Sequence, residues 1–238
     1  MFDTYGGQLA GEDLAERLES LAEFAAGAGH ELNNPVATIV GRVQLLLRDE
    51  TDPSRRQALE TIAGQAYRIR DMISDVMLFA RPPEGEACDW DLVELVAEVV
   101  TGVTGGRAGF EGRVELSASG KVRIHADPGQ VSVVVEELLT NALEADAEGT
   151  IVVGVTGGTS SVLEIRDGGP GLDPTSLRHL FDPFYSGRQA GRGLGFGLPK
   201  CWRIVTLQGG RIEVEPNNPT GSAGPSGLCV RVTWPGVA

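Results

Sequence analysis

Cysteine is scarce in this chain of 238 residues: Cys88, Cys201 and Cys229 are the only three. Three scattered thiols cannot build a disulfide framework or a metal knuckle, so buried, reduced cysteines are expected. Aromatic residues make up 5% of the chain, and no apolar run approaches the ~20 residues needed to cross a bilayer. Met1 is followed by Phe2-Asp3-Thr4 rather than by a basic segment and an apolar stretch, so no secretory leader is expected and the chain reads as cytoplasmic. Positive charge is also in deficit. With 20 basic against 33 acidic residues the formal charge is -13, which repels a phosphate backbone and an anionic membrane alike. Nucleic acid is therefore excluded as an expected partner.

Apolar periodicity divides what remains. From Leu14 the positions Leu14, Leu18, Leu21, Ala25, Ala28, Leu32, Val36, Ile39, Val43 and Leu46 step mostly by fours and threes, a heptad stripe on one helix. After the break at Asp52-Pro53-Ser54 a second stripe runs through Leu59, Ile62, Ala66, Ile69, Ile73, Val76 and Ala80. Two long helices joined by a short turn form an antiparallel hairpin. Such a hairpin has one adhesive face and little interior, so two copies are expected to pair as a four-helix bundle, a homodimer. A coiled-coil spacer without chemistry has the same periodicity. Arg81-Pro82-Pro83-Glu84-Gly85-Glu86 cannot continue a helix and reads as a linker. The expected layout is a short segment 1–13, a hairpin 14–81, a linker 82–88 and a second domain 89–238.

In the second domain the pattern is mixed. Helices are expected near Leu92–Val100, over Gln130–Ala145 and over Leu198–Leu207. Strands are expected at Arg113–Leu116, Val122–His125, Ile151–Thr156, Val162–Arg166, Arg211–Glu215 and Leu228–Trp234. The fold class is α + α/β: a helical hairpin, then an α/β sandwich with one mixed sheet backed by helices.

Chemistry-bearing residues fall at a few places. On the first helix, His30 lies two positions before a seam leucine, which predicts an outward ring. Glu31 is adjacent, and Asn34 lies one turn on, on the same face. A surface histidine is the plain alternative; a carboxylate taking the Nδ1 proton would make Nε2 a nucleophile. Pro35 deletes a backbone hydrogen bond and is expected to bend or loosen this turn. On the helix Gln130–Ala145, Glu137 and Asn141 share a face at i and i+4. They offer hard oxygen donors suited to Mg²⁺, or simply a solvated face. Asp167-Gly168-Gly169-Pro170-Gly171 ends a strand, as an acceptor for an exocyclic amine such as that of adenine or as an ordinary turn. Gly193-Leu194-Gly195-Phe196-Gly197 precedes a helix N-terminus, where bare N–H groups bind phosphates. The loop Gly168–Gly197 is too long to be an idle connection. Within it Phe181 and Phe184 latch a lid or pack a local core, and Arg188 reaches a phosphate or stays exposed.

Taken in order, these pieces resemble two-component sensor histidine kinases. His30-Glu31-Leu32-Asn33-Asn34-Pro35 is similar to their H box, Asn141 to the N box, and Asp167, Gly169 and Gly171 to the G1 box. Phe181 to Phe184 resemble the F box, and Gly193, Gly195 and Gly197 the G2 box. The resemblance spans about residues 14 to 236 and is greatest to the nitrogen-regulation type, with Glu144 where many relatives have a basic residue. It implies a dimerisation and phosphotransfer hairpin followed by a Bergerat-type ATP-binding domain. It further implies autophosphorylation of His30 by Mg-ATP and transfer to an aspartate of a response-regulator receiver domain. Glu31 would be the general base and Asn34 would orient water for dephosphorylation. Glu137 and Asn141 match the Mg²⁺ side, Asp167 the adenine contact, and the G2 glycines the triphosphate contacts. Ser186-Gly187-Arg188, Pro199 and Gln208 depart from the common pattern, which bears on the lid and on which basic side chain meets the phosphates. A signal would arrive through a separate sensor protein or the short N-terminal segment. The competing readings are a phosphatase-biased or non-catalytic adaptor switched by nucleotide, and a serine or threonine kinase sharing the ATP-binding fold. The latter lacks a helical hairpin with an H box.

Overall fold

The computed structural model describes residues 11–80, 82–105, 109–110, 112–146, 148–183, 185, 195–217 and 227–237, with backbone alone for 11–26, 28, 30 and 80. The chain divides into two compact units, one ending at Pro83 and the other beginning at Glu84.

The first unit is the expected hairpin of α1 (Gly11–Asp49) and α2 (Pro53–Ala80). Local chemistry sets the turn. Proline opens α2, where its missing N–H costs nothing, and the Asp52 carboxylate accepts the Arg55 N–H at 2.9 Å. Arg56 closes the preceding helix by donating to the Leu47 and Glu50 carbonyls at 3.3 and 2.6 Å. The apolar stripe is shared between two environments. Val36, Val43, Ala66 and Ile73 are buried between the two helices, whereas Leu32, Ile39, Leu46, Ile62 and Ile69 are each 44–60% exposed in the single chain. Pro35 does not interrupt α1. Among the described residues, no helix is long and apolar enough to cross a membrane.

The second unit contains β1 (Cys88–Asp91), α3 (Leu92–Gly105), β2 (Val114–Ala118), β3 (Arg123–Ala126), α4 (Pro128–Ala145), β4 (Ile151–Thr156) and β5 (Ser160–Arg166). After these come α5 (Pro174–Arg178), α6 (Gly197–Leu207), β6 (Arg211–Pro216) and β7 (Leu228–Pro235). Five strands form one mixed sheet in the order β2-β4-β5-β7-β6, with β2 and β4 parallel and the other pairs antiparallel. Alternation along β5 sends Ser161, Leu163 and Ile165 inward; the two apolar side chains share one core with Val131, Leu138 and Leu139 of α4 and Ile204 and Val205 of α6. On the opposite face Glu164 accepts from Arg166 and Arg231, both at 2.7 Å. The α/β sandwich is thus as expected.

Two elements are not apparent from periodicity. β1 pairs antiparallel with β3 and is secured by Trp90 Nε1 donating to the Ala126 carbonyl at 2.9 Å. α5 is one turn capped by Asp173, which accepts the Thr175 and Ser176 N–H groups at 2.8 and 3.0 Å. The expectation of three buried thiols fails at Cys88, which is exposed; Cys201 and Cys229 are buried, and all three are free. Cys88 is the first residue of β1 and lies on its exposed part, whereas Trp90 of the same strand packs against the core.

Asp127 joins two parts of this unit. Its Oδ1 caps α4 by accepting the Gln130 N–H at 2.7 Å, and its Oδ2 accepts the Glu86 N–H, also at 2.7 Å. Gly85 fits here for want of room: a Cβ would lie 2.9 Å from the Asp127 Cβ and 2.9 Å from the Gln130 side chain. Asp127→Ala removes both acceptors. We expect it to destabilise this unit by about 1–2 kcal/mol, read as a fall in the full chain's melting temperature of roughly 2–8 °C.

Candidate functional site

Helix α4 organises the site. Its apolar face is sealed in the core, and Glu137, Asn141 and Ala145 recur at four-residue spacing on another face. The row is about 12 Å long at 1.5 Å per residue. Each end of the row meets a different loop.

At the Glu137 end stands the first turn of α6. A Cβ on Gly197 would lie 2.7 Å from Glu137 Oε2 and 3.4 Å from Asn141 Nδ2, so Gly197 is a glycine because the two α4 side chains occupy that space. The other oxygen, Glu137 Oε1, accepts from the buried Lys200 ammonium at 2.5 Å. Gly195 has φ +70° and its Cβ would overlap the Tyr185 backbone, so this turn requires glycine on both counts.

At the Ala145 end stands the loop after β5. Asp167 is buried; its Oδ1 accepts from the Gly169 and Leu228 N–H groups at 2.9 and 3.2 Å, and its carbonyl accepts from Asn217 Nδ2 at 2.8 Å. Among the described residues, its Oδ2 has no hydrogen-bond donor. Burial raises the Asp167 carboxyl above the ordinary carboxylate range, the two N–H donors oppose that, and the negative Asp146 nearby adds to it. A Cβ on Gly169 would lie 2.9 Å from both the Ala145 carbonyl and Asp167 Oδ1, and Gly171 has φ +70°. Glycine is demanded by close approach at the first and by backbone conformation at the second.

Asp146, which the sequence reading passes over, ties this end together. Its Oδ1 accepts from Gly149 at 2.7 Å and Glu148 at 3.3 Å, and its Oδ2 accepts from Gly168 at 3.0 Å. The Arg113 guanidinium donates to its carbonyl and, through Nε, to Gly149 at 3.1 Å. The Gly149 N–H, above all, holds the Asp146 carboxyl below its usual range, against a smaller opposing effect of burial. Its best clue in sequence is a position next to the end of the N-box helix.

Phe181 is half-buried against the core, and Tyr185 Oη donates to Ser176 Oγ at 3.0 Å. Phe184, Arg188 and Gly193 lie outside the described residues. In the first unit His30 is on α1, but its side chain lies outside the described residues; Glu31 and Asn34 are exposed. Pro35 has no N–H for the Glu31 carbonyl four residues back, so the missing helical bond falls beside His30. A groove of about 540 Å³ runs over Val152, Gly154, Glu164 and Arg166 of the sheet and reaches Asp167, Gly168 and Asn217 of the loop after β5.

Glu137 Oε2 and the Asn141 amide, by its Nδ2, meet the same space at Gly197; a carboxylate oxygen and, with the amide turned, its carbonyl oxygen are hard donors. That set fits Mg²⁺, which takes one or two protein ligands and completes its shell with phosphates and water. Among the described residues, no cluster of three His, Cys, Asp or Glu side chains forms a self-sufficient metal cage.

A helical hairpin bearing a histidine, followed by an α/β unit with glycine-lined loops at both ends of one helix, is the arrangement of a two-domain phosphotransfer protein. Residues 20–85 match the His Kinase A (phospho-acceptor) domain, and residues 126–237 match the histidine kinase-, DNA gyrase B-, and HSP90-like ATPase. The signal transduction histidine-protein kinase AtoS of Escherichia coli is 32% identical over 206 residues, 84% of this chain and 33% of that protein. The sensor histidine kinase TrcS of Mycobacterium tuberculosis is 32% identical over 223 residues, 86% of this chain and 44% of that protein. Full-length ShkA, solved in complex with AMPPNP, superposes with a TM-score of 0.75 at 20% identity, over 91% of this chain and 46% of its own. The nucleotide-free catalytic domain of the histidine kinase ThkA gives 0.54 at 22% identity, over 63% of this chain and 96% of its own. These last two share the fold. The chain belongs to the sensor histidine kinases, with a phospho-acceptor domain followed by an ATP-binding domain. It spans a third to a half of the length of the curated relatives it matches.

Asp146→Asn keeps the side chain's size but replaces a negative acceptor by an amide. We expect a lower melting temperature and weaker binding of a fluorescent ATP analogue at neutral pH. Because the folded-state carboxyl is held below its ordinary value of 3.8, the stabilisation is fully present above that value and is lost as pH falls through the folded value. The gap in melting temperature between wild type and variant therefore persists at pH 5 and narrows only in more acid solution.

Proposed function

We propose that this chain is a histidine autokinase that transfers the γ-phosphoryl group of Mg-ATP to His30 and then to an aspartate on a response-regulator receiver domain. The observation that carries this reading is the α4 face of Glu137, Asn141 and Ala145, with a phosphate-type helix N-terminus at one end and a buried carboxylate at the other. A row of about 12 Å has the reach of a nucleoside triphosphate. Asp167, with Oδ2 free of donors among the described residues, accepts the exocyclic amine of adenine, and Gly169 and Gly171 let the base approach. Gly193, Gly195 and Gly197 present backbone to the triphosphate, joined by Arg188. Phe181 and Phe184 anchor the lid. Glu137 and Asn141 hold Mg²⁺, which neutralises charge on the phosphates.

In the transfer, His30 Nε2 bonds to phosphorus as the bond from the γ-phosphorus to the β-bridging oxygen breaks, and ADP leaves. Glu31 takes the Nδ1 proton, which discharges the imidazolium that forms. The exposed amide of Asn34 then orients water against the phosphorylated regulator. Unsupported hydrogen bonding at Glu31, caused by Pro35, gives the phosphoacceptor turn freedom to adjust. The exposed half of the apolar stripe supports a homodimer, in which Leu32, Ile39, Ile62 and Ile69 meet their counterparts in a four-helix bundle. We place the chain in the cytoplasm, and in a nitrogen-regulation-like group on the wording of its H and N boxes.

Incubation with γ-labelled ATP and Mg²⁺ tests the acceptor. Wild type is expected to carry an acid-labile, base-stable label that His30→Gln lacks, and label persisting in the variant would overturn the assignment. Asn34→Ala is expected to keep autophosphorylation while slowing regulator dephosphorylation; loss of both would make the amide structural. Asn141→Asp is expected to impair Mg-ATP use, and unchanged activity would remove it from the metal side.

A further inference from the structure

Lys200 stands in an adverse place. Only 5% of its surface is exposed, and it occupies the first turn of α6, where helix N–H groups already present partial positive charge. A lysine serving only solubility would extend its ammonium to water. This one turns inward to Glu137, a residue 63 positions away in sequence, and the two form a close ion pair between α6 and α4.

The pair divides the carboxylate. Oε1 is taken by Nζ at 2.5 Å, while Oε2 lies against Gly197, near Asn141 Nδ2. We propose that Lys200 is a positioning residue for the metal side of the nucleotide site: it holds Glu137 by one oxygen and so presents only the other to the cation. This rests on the reading of Glu137 and Asn141 as that side. The ammonium blocks two-oxygen chelation, and it offsets the negative charge that would otherwise draw a divalent ion before the nucleotide arrives. One carboxylate oxygen suits Mg²⁺, which demands near-octahedral geometry and retains water.

Two substitutions in the full chain move the metal requirement in opposite directions. Lys200→Met frees the carboxylate, and the Mg²⁺ concentration giving half-maximal binding of a fluorescent ATP analogue is expected to fall about tenfold. Mg²⁺ alone is then expected to raise its melting temperature, an effect absent in wild type. Lys200→Arg places a planar fork on Glu137 that engages both oxygens, and the same midpoint is expected to rise severalfold. A purely structural pair would leave the midpoint unmoved or shift it the same way in both variants, and either result overturns the proposal. Should Lys200→Met fail to fold, the arginine variant decides alone: a raised midpoint supports the proposal and an unchanged one overturns it. Glu137→Gln separates this from the underlying reading. If that variant keeps the wild-type midpoint, Glu137 is not on the metal side; if it shifts while the Lys200 variants do not, only the role of Lys200 fails.

Discussion

Helix α4 can line a polar cleft because its other face is fully committed. Val131, Val134, Val135, Leu138, Leu139, Ala142 and Leu143 are buried together against the sheet and the neighbouring helices, which fixes the helix in rotation as well as in position. Rotating it by one residue, about 100°, would drag Leu138 out of the core and push Glu137 in. The apolar contacts therefore set where Glu137 and Asn141 stand, and the glycines of the facing loops fit around the helix. Gly197 yields space to Glu137 and Asn141, and Gly169 yields space to the Ala145 carbonyl. Dense packing beneath the helix is what holds Glu137 and Asn141 in place on its other face.

The hairpin obeys the opposite logic. Its apolar stripe is wider than one partner helix can cover, so Val36 and Ile73 are sealed within the pair while Ile39 and Ile69 remain at the surface. A stripe buried to completion inside one chain would leave no reason to associate. Here the surplus lies along both helices, at alternate positions of the same heptads that hold the hairpin together.

Much of this was legible in sequence where the signal is local. The i, i+4 spacing of Glu137 and Asn141 and the β-branched runs of β4 and β5 each act through neighbours a few residues away. Legibility fails where partners are remote. Lys200 and Glu137 meet across two helices, and Asp146 acts on Gly168 across 22 positions, so neither carries a pattern that a window of sequence can register. β1 is too short for alternation to show, and its anchor, Trp90 to Ala126, is likewise long-range. Cys88 was misjudged for a related reason: the burial tendency of cysteine is an average, and an edge strand falls outside it.

The Asp127 carboxylate has a mechanical consequence. One of its oxygens caps the helix that carries the cleft, and the other grips the backbone at Glu86, just past the prolines that end the hairpin. The connection is thus stapled to a structural beam before the chain enters β1. The backbone at Glu86 is thereby held to the first turn of α4, two and a half turns below Glu137. A single side chain thus sets both where the strand-bearing chain begins and where the helix of Glu137 and Asn141 begins.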